Sequence, residues 1–117
     1  MSDKTRYLFT ASMDVDPEKE DLFNEVYDTE HVPLLLEVPG VVGVTRYTTE
    51  PFEVSIGGER QSVDSAGYAR YTAIYARESA EVRGRDGWAA AVEKGRWPGE
   101  VRPFTKNRSH VLKKPMG

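Results

Sequence analysis

Two side chains near the end of a helical pattern have the types and spacing needed for proton transfer. His31 follows Tyr27 by four residues, so both side chains fall on one face of a helix. A neutral imidazole near physiological pH accepts a proton from an acidic carbon or a phenol and returns it elsewhere. The Tyr27 hydroxyl could orient that ring or donate to a developing enolate oxygen, and Asp28 or Glu30 could fix its tautomer. The alternative is structural: His31 closes the helix, where an imidazole suits the negative end of the dipole.

Aromatic side chains farther along the chain could bind a flat substrate. Strand patterns hold Tyr47, Tyr71 and Tyr75, and a helical pattern holds Trp88. Rings on a sheet beneath helices can clamp an aromatic molecule by stacking, although the same residues also serve as ordinary core. Arg46 could grip a substrate carboxylate with two hydrogen bonds, and a surface salt bridge is its other interpretation. Neighbouring strand residues point to opposite faces, so only one of Arg46 and Tyr47 faces a cleft.

The sequence carries no motif for a metal or a nucleotide cofactor. Its two histidines, His31 and His110, lie far apart, and there is no cysteine, so no zinc or non-haem iron site is expected. P-loop, dinucleotide-binding and nucleophile-elbow patterns are missing as well. We therefore predict no cofactor and no metal. His110 is interpreted as exposed or as a dimer contact, and Trp97 as packing in a helix-to-strand turn or lining the mouth of a cleft.

Strand and helix patterns alternate along the chain and would position these residues. Residues 5–15 alternate apolar and polar side chains, as in a half-buried strand. Asp16 and Pro17 are typical of a helix start, and Pro33 predicts that this helix ends or kinks near residues 29–32 before a second short helical piece. The remaining predictions are a turn at 39–40, strands at 41–50, 67–77 and 101–114, a second helix that begins at Ser79 and ends at Gly95, and a hairpin insertion or flap at about 51–66.

The order β-α-β-β-α-β predicts an α+β fold of the ferredoxin-like type, in a single domain that spans residues 1–117. Four antiparallel strands then carry both helices on one face. Tyr, Phe, Val and Ile occur at both parities of the predicted strands, so the second face of the sheet also needs cover. Pairing of two copies in a symmetric homodimer would bury that face.

Charge and composition exclude several classes of partner. The chain is 38% hydrophobic and 30% charged, which is typical of a folded domain. A net charge of −3 gives no basic excess to attract nucleic acid or anionic lipid. No apolar run suits a signal peptide or a membrane helix. We therefore expect a cytoplasmic protein whose partners include neither nucleic acid nor membrane.

The stretch YDTEHVPLLLEVPGVVGVTRY, residues 27–47, resembles the dimeric α+β barrel superfamily, as do YTAIYA and the two tryptophans that follow. Within it the resemblance is to the EthD-like and related small families. Members commonly carry a Tyr-x-x-x-His segment, a proline after the histidine, and a Pro-Gly turn into an Arg-Tyr strand. The resemblance covers nearly the whole chain. It implies that two subunits pair their sheets into a barrel, with a cleft between each sheet and its own helices.

Function within this superfamily varies, so it has to be argued from the site. The resemblance leaves open a haem with His31 as its axial ligand, although no motif in this sequence specifies one. The resemblance implies a small cofactor-free enzyme that acts on a hydrophobic aromatic, polyketide-like or lactone substrate by His-mediated proton transfer, as an isomerase, cyclase or oxygenase. Its catalytic residues would be His31 and Tyr27. Its substrate-binding residues would be Tyr47, Tyr75, Tyr71, Trp88 and Arg46. The alternative is a non-catalytic dimer that binds a small hydrophobic molecule, in which the histidine is structural.

Overall fold

The structure, a computed structural model, describes residues 7–78 and 86–116. Its strands are β1 (Tyr7–Val15), β2 (Val41–Thr48), β3 (Phe52–Ile56), β4 (Glu59–Val63), β5 (Tyr71–Arg77) and β6 (Thr105–Lys113). Its α-helices are α1 (Glu20–Val26), α2 (Val32–Leu36) and α3 (Asp86–Ala91). Two further helical turns are called the first π turn (Tyr27–His31) and the second π turn (Trp97–Val101). Among these residues no helix is both long and apolar enough to cross a membrane. The predicted helix start at Ser79 lies outside them.

Four of the described strands form an antiparallel sheet in the order β2-β5-β1-β6. The first and third strands of the predicted pattern, β1 and β5, therefore lie at the centre, with Phe9 opposite Tyr75. This is the ferredoxin-like arrangement, and the predicted α+β fold class is confirmed. The edge strand β6 begins at Thr105 rather than at the predicted residue 101, because the segment Arg102–Phe104, which contains Pro103, forms a 3-10 turn.

Side chains alternate between two faces of this sheet. The inner face, which the helices cover, carries the buried side chains of Phe9, Ala11, Met13, Val15, Tyr71, Ala73 and Tyr75. The outer face carries Leu8, Thr10, Ser12, Thr72, Ile74 and Ala76, which are half-buried or exposed. The hydrophobic core therefore lies on one side of the sheet, where Phe23, Val26 and Leu35 of the helices complete it.

A 3-10 turn at Pro17–Lys19 precedes α1, and from Glu20 the helical segment continues to Leu36. Pro33 does not end it, because residues on both sides keep helical dihedral angles and Val32 N–H donates to the carbonyl of Tyr27, five residues back. In an α-helix the proline ring clashes with the carbonyl four residues earlier, and a wider turn relieves that clash. The predicted end or kink near residues 29–32 is thus a change of helix type.

Strands β3 and β4 form a separate hairpin between β2 and β5. The hairpin turns at Gly57 and Gly58, whose φ angles of 62° and 84° suit glycine. Phe52, Val54 and Ile56 point to one side of β3, and Phe52 and Ile56 are each 57% exposed. The hairpin therefore carries an apolar side that the rest of the described chain leaves uncovered.

Candidate functional site

A cavity of about 210 Å³ lies between the inner face of the sheet and the helices. Its floor comes from β1 and β5, its roof from the helical segments, and one side from the edge strand β6. The residues that line it are Phe9, Ala11, Met13, Tyr27, His31, Leu35, Tyr75, Trp88, Val92, Trp97, Arg102, Arg108 and His110. Four of the residues chosen from the sequence, Tyr27, His31, Tyr75 and Trp88, therefore meet at this cavity.

The His31 imidazole is buried, with 5% of the residue exposed. It stacks on Trp97 with 4.4 Å between ring centroids and meets Tyr27 edge-on at 4.9 Å. Its Nδ1 is buried and has no hydrogen-bond partner among the described residues. Burial, followed by the positive charges of Arg102 and Arg46, lowers the pKa of His31 from 6.5 to about 4. At pH 7 the ring is therefore neutral and can accept a proton, although as a weak base.

The two π turns bring these rings together. Tyr27 and His31 are the first and last residues of the first π turn, and both are buried. Trp97 opens the second π turn and is also buried, with Pro98 directly after it. Turns of this kind occur often at functional sites. Here they bring an imidazole, a phenol and an indole into mutual contact.

A polar clamp joins the two π turns. Glu30 accepts hydrogen bonds from the Arg96 backbone N–H at 2.9 Å and from its Nε at 2.6 Å. These bonds, the backbone one first, lower the pKa of Glu30. Gly95 has a φ of +70°, and a Cβ there would lie 2.6 Å from Glu30 Oε1, so the clamp requires glycine. Because Glu30 is bound to Arg96 and Asp28 to Arg46, neither carboxylate fixes the His31 tautomer, contrary to expectation.

The hydroxyls of Tyr27 and Tyr75 are hydrogen-bonded to each other at 2.9 Å in the cavity wall. The two residues are 2% and 1% exposed. Burial raises the pKa of both phenols, and that of Tyr75 strongly, so both stay protonated at neutral pH. One hydroxyl donates to the other, which leaves one O–H of the pair available to a ligand oxygen.

Basic side chains form the side of the cavity next to β6. Arg108 and His110 are two residues apart on this strand, and the His110 ring stacks on Phe9 at 5.6 Å. Arg102, in the preceding turn, is held by Glu93 through hydrogen bonds of 3.1 and 2.8 Å. None of the described lining residues is acidic. The charged side chains among the described lining residues are therefore Arg102, which is paired with Glu93, and Arg108.

Arg46 lies on the inner face but is engaged by protein groups. Its guanidinium donates to Asp28 Oδ1 and to Asn24 Oδ1, each at 2.8 Å, and lies 4.5 Å from the Tyr27 ring centroid. Of the two interpretations of Arg46, the structure shows the salt bridge, with Asp28 as its partner. Its charge contributes to the site by lowering the pKa of His31.

Tyr71 and Tyr47 lie outside the cavity. The Tyr71 hydroxyl donates to a Glu20 carboxylate oxygen at the far end of the helical layer. Tyr47 has the opposite parity to Arg46 and is 51% exposed. Together with Arg46 they border a separate shallow depression of about 280 Å³ at the β2 edge.

A larger open depression of about 600 Å³ lies against the outer face, beside Asp14, Tyr68 and Asn107. Asp14 already accepts hydrogen bonds from the Arg70 backbone N–H and from Asn107 Nδ2, each at 2.7 Å. These bonds, that of Asn107 first, lower the pKa of Asp14. The depression therefore offers a carboxylate that is already satisfied, and it holds neither a histidine nor an aromatic cluster.

Sequence reasoning did not assign Trp97, Arg102 or Arg108 to the site. Trp97 was open to either a packing or a cleft-mouth interpretation, and in the structure it stacks on the central histidine. The spacing of two between Arg108 and His110 places them on one face of a strand, which is the signal that could have identified the basic side of the cavity.

The described residues offer little to a metal or a macrocycle. Within residues 7–78 and 86–116, no three His, Asp or Glu side chains converge to hold a metal ion. The cavity volume of about 210 Å³ is below the roughly 300–1,000 Å³ of pockets for drug-sized ligands. A haem is larger than this volume.

Fold and site together define an α+β protein with a partly open aromatic cavity between a ferredoxin-like sheet and its helices. Among solved structures, the chain is similar to an ethyl tert-butyl ether D (EthD) family protein from Bacillus halodurans, with a TM-score of 0.58 and 15% identity over 95% of this chain and 99% of that chain. The resemblance drawn from residues 27–47 is thus confirmed at the level of the fold. No protein-family model matches the sequence, and no curated protein matches it.

Proposed function

We propose that this protein is a cofactor-free enzyme of the EthD-like type that transfers a proton on a small hydrophobic substrate. The observation that supports this most directly is the neutral His31 imidazole at an aromatic cavity, in ring contact with Tyr27, whose hydroxyl is hydrogen-bonded to that of Tyr75. A base and a hydrogen-bond donor at one apolar cavity are what proton abstraction next to a carbonyl requires. The substrate class is aromatic, polyketide-like or lactone.

His31 is suited to remove a proton from a carbon beside a carbonyl group. Its low pKa makes it a weak base in the empty cavity, but negative charge that develops on the substrate stabilises the imidazolium as it forms. The O–H that the Tyr27–Tyr75 pair leaves available can donate to the enolate oxygen. Isomerisation, cyclisation and oxygenation can all proceed from such an enolate.

A non-catalytic ligand-binding role is the second candidate, and one observation favours it. Nδ1 of His31 has no hydrogen-bond partner among the described residues, whereas a third group usually orients a catalytic imidazole. In this role the aromatic side chains bind the ligand, and His31 contributes only its stacking on Trp97.

Deuterium exchange at an acidic carbon separates the two roles. The probe is 2-tetralone, a two-ring ketone whose α-protons exchange in deuterium oxide, and NMR follows the exchange without knowledge of the natural product. We expect the wild-type protein to accelerate it, and His31→Phe, which keeps a ring against Trp97, to lose roughly a hundredfold or more of that acceleration. Melting temperature and affinity for the ketone should stay near the wild-type values.

Tyr71→Phe is the matched control, because it removes a buried phenol hydroxyl whose partner is Glu20 outside the cavity. We expect this variant to exchange 2-tetralone at the wild-type rate. Equal exchange by the wild type and His31→Phe contradicts the enzymatic role. Binding of the ketone without any acceleration by the wild type favours the ligand-binding role.

We also propose that two copies pair through their outer faces into an α+β barrel, as in the dimeric superfamily that the sequence resembles. Thr10 and Ile74 of the outer face are uncharged and half-buried, and Val111 beside them is 43% exposed. A sheet with helices on one side buries its second side by pairing with another sheet. Light scattering tests the proposal, since a stable monomer at micromolar concentration contradicts the barrel.

A further inference from the structure

We propose that the ligand of the cavity is a small flat molecule with one carboxylate, and that Arg108 at the cavity mouth binds this carboxylate. The inference rests on the proposed function, because it concerns the same cavity, and it adds the chemistry of the ligand and the residue that selects it. Three features of the described residues support it: the size and shape of the cavity, the charges at its mouth, and the state of its histidine.

Size and shape favour a ligand of one or two rings. The volume of about 210 Å³ suits an apolar body of this size. Phe9, Tyr75 and Trp88 enclose it with centroid distances of 5.3 to 5.9 Å, in tilted and edge-on arrangements. Aromatic walls of this kind pack best against a flat apolar body.

The charges at the mouth favour an anion. None of the described lining residues is acidic, while Arg102 and Arg108 are both cationic. Arg102 is committed to Glu93 and to the Val92 carbonyl, which accepts its Nη2 hydrogen bond at 2.8 Å. Arg108 is exposed and makes no hydrogen bond or ion pair with any described residue. Its planar guanidinium can therefore bind a carboxylate through two parallel hydrogen bonds.

The state of His31 connects this charge to the proposed chemistry. The positive charges of Arg102 and Arg46 contribute to the low pKa of the empty site. An anion at the mouth offsets their field and moves the pKa of His31 back towards its ordinary value. An anionic ligand would in this way strengthen the base that acts on it, which a neutral ligand cannot do.

Calorimetry with a charged and a neutral probe of equal shape tests the inference. The probes are 2-naphthoate and 2-naphthamide, which differ only in replacing a carboxylate by an amide. We expect the wild-type protein to bind naphthoate about tenfold more tightly at low ionic strength. In Arg108→Gln this preference should disappear while the affinity for naphthamide is unchanged. Arg108→Lys keeps the charge without the planar fork and should retain only part of the preference.

Lys113→Gln is the matched control for general charge effects. It removes one positive charge from the same strand, but from the residue opposite Leu8, on the outer side of the sheet. We expect it to keep the full preference for naphthoate. Val92→Phe places a ring in the cavity wall and should lower the affinity for both probes equally. If this variant does not fold, Ala11→Val is the second variant that fills the cavity. Undiminished binding in a folded filling variant overturns the inference.

Three other results also overturn it: equal affinities of the two probes for the wild type, a preference that survives in Arg108→Gln, and no detectable binding of either probe. Each of these leaves the proposed function to the exchange experiment with His31→Phe. That experiment uses a neutral ketone and does not depend on Arg108. Conversely, a preference for naphthoate together with wild-type exchange by His31→Phe keeps the inference and removes the enzymatic role.

Discussion

The inner and outer faces of the four-stranded sheet are built by the same strands and yet differ in chemistry. On the inner face Phe9 and Tyr75 lie opposite each other and are 4% and 1% exposed. On the outer face, at the next position of the antiparallel ladder, Thr10 lies opposite Ile74, and both are half-buried. Strand residues alternate in direction, so a shift of one position exchanges an aromatic cavity for a surface whose centre carries small and aliphatic side chains.

This difference indicates that the side chains on the two faces of the sheet have different roles. The rings of Phe9, Tyr75 and His31 lie where the helices shield them from water. Short side chains lie where a second sheet can approach to the roughly 10 Å at which sheets pack; Ser12 and Thr72, joined by a 2.8 Å hydrogen bond, are an example. Substitutions in one strand should therefore affect association or chemistry according to their parity.

The largest expected effect comes from a charge in the centre of the outer face. Ile74→Asp would place an unpaired carboxylate between the two sheets of the proposed dimer, at a cost of several kcal/mol. We expect dimer dissociation to become more than a hundredfold easier, as measured by analytical ultracentrifugation, while the monomer keeps its fold. Ser55→Asp, on the exposed side of β3, is the control and should leave association unchanged. A dimer that tolerates Ile74→Asp would show that the outer face is not the surface through which the copies pair.

On the inner face the next largest effect concerns pH. The folded pKa of His31, about 4, lies below the unfolded value of 6.5. Between these values the unfolded chain binds a proton that the folded chain does not, so stability present above pH 6.5 is lost as the pH falls. The loss reaches about 3 kcal/mol near pH 4. The variant His31→Phe should not show this loss of stability at low pH. Denaturant titrations of the wild type and of His31→Phe from pH 7 to pH 4.5 measure the difference. Parallel curves would show that burial does not control this imidazole.

A smaller effect is expected at the pair of phenols. Tyr75→Phe leaves the Tyr27 hydroxyl buried without its partner, which costs about 2 kcal/mol in the free energy of unfolding. The double variant Tyr27→Phe, Tyr75→Phe removes both polar groups and should recover most of that stability. Urea denaturation of the three variants forms a double-mutant cycle. Additive losses would mean that the hydroxyls do not act as a pair.

The smallest effect is expected at the solvent-exposed rim of the inner face. Asp28 is 61% exposed in its side chain and forms an ion pair with Arg46. Asp28→Asn removes one charge but leaves the hydrogen bond from Arg46 to Asn24, so the loss should stay below about 1 kcal/mol. Thermal denaturation measures it. A larger loss of stability would mean that the ion pair at the rim is shielded from water as the buried residues of the inner face are.

Much of the fold could be predicted from patterns that a strand or a helix imposes on its own residues. The alternation around Phe9, Ala11 and Met13 marks β1 and its inner face. The course of the first helical segment at Pro33 was harder to predict. Proline lacks the N–H of one helical hydrogen bond, and either a break in the helix or a π turn accommodates that loss, so only packing decides between them. Strand β6 also begins later than its pattern predicted, because a 3-10 turn that contains Pro103 precedes it.

Contacts of the site that lie within one helix could be predicted from the sequence, whereas a contact between two helical turns could not. The spacing of four from Tyr27 to His31 places both on one helix face, and this is visible in the sequence. The position of Trp97 depends on hydrogen bonds between Glu30 and Arg96, which are 66 residues apart. Such a contact leaves no local pattern, so the stacking on His31 could only be found in the structure.

The placement of the two tryptophans has a consequence for spectroscopy. The chain contains only Trp88 and Trp97, and both line the cavity, at 7% and 4% exposure. Tryptophan emission from this protein therefore originates entirely at the candidate site. Ligand entry, loss of the indole–imidazole stack and protonation of His31 should each change the spectrum of the unlabelled protein.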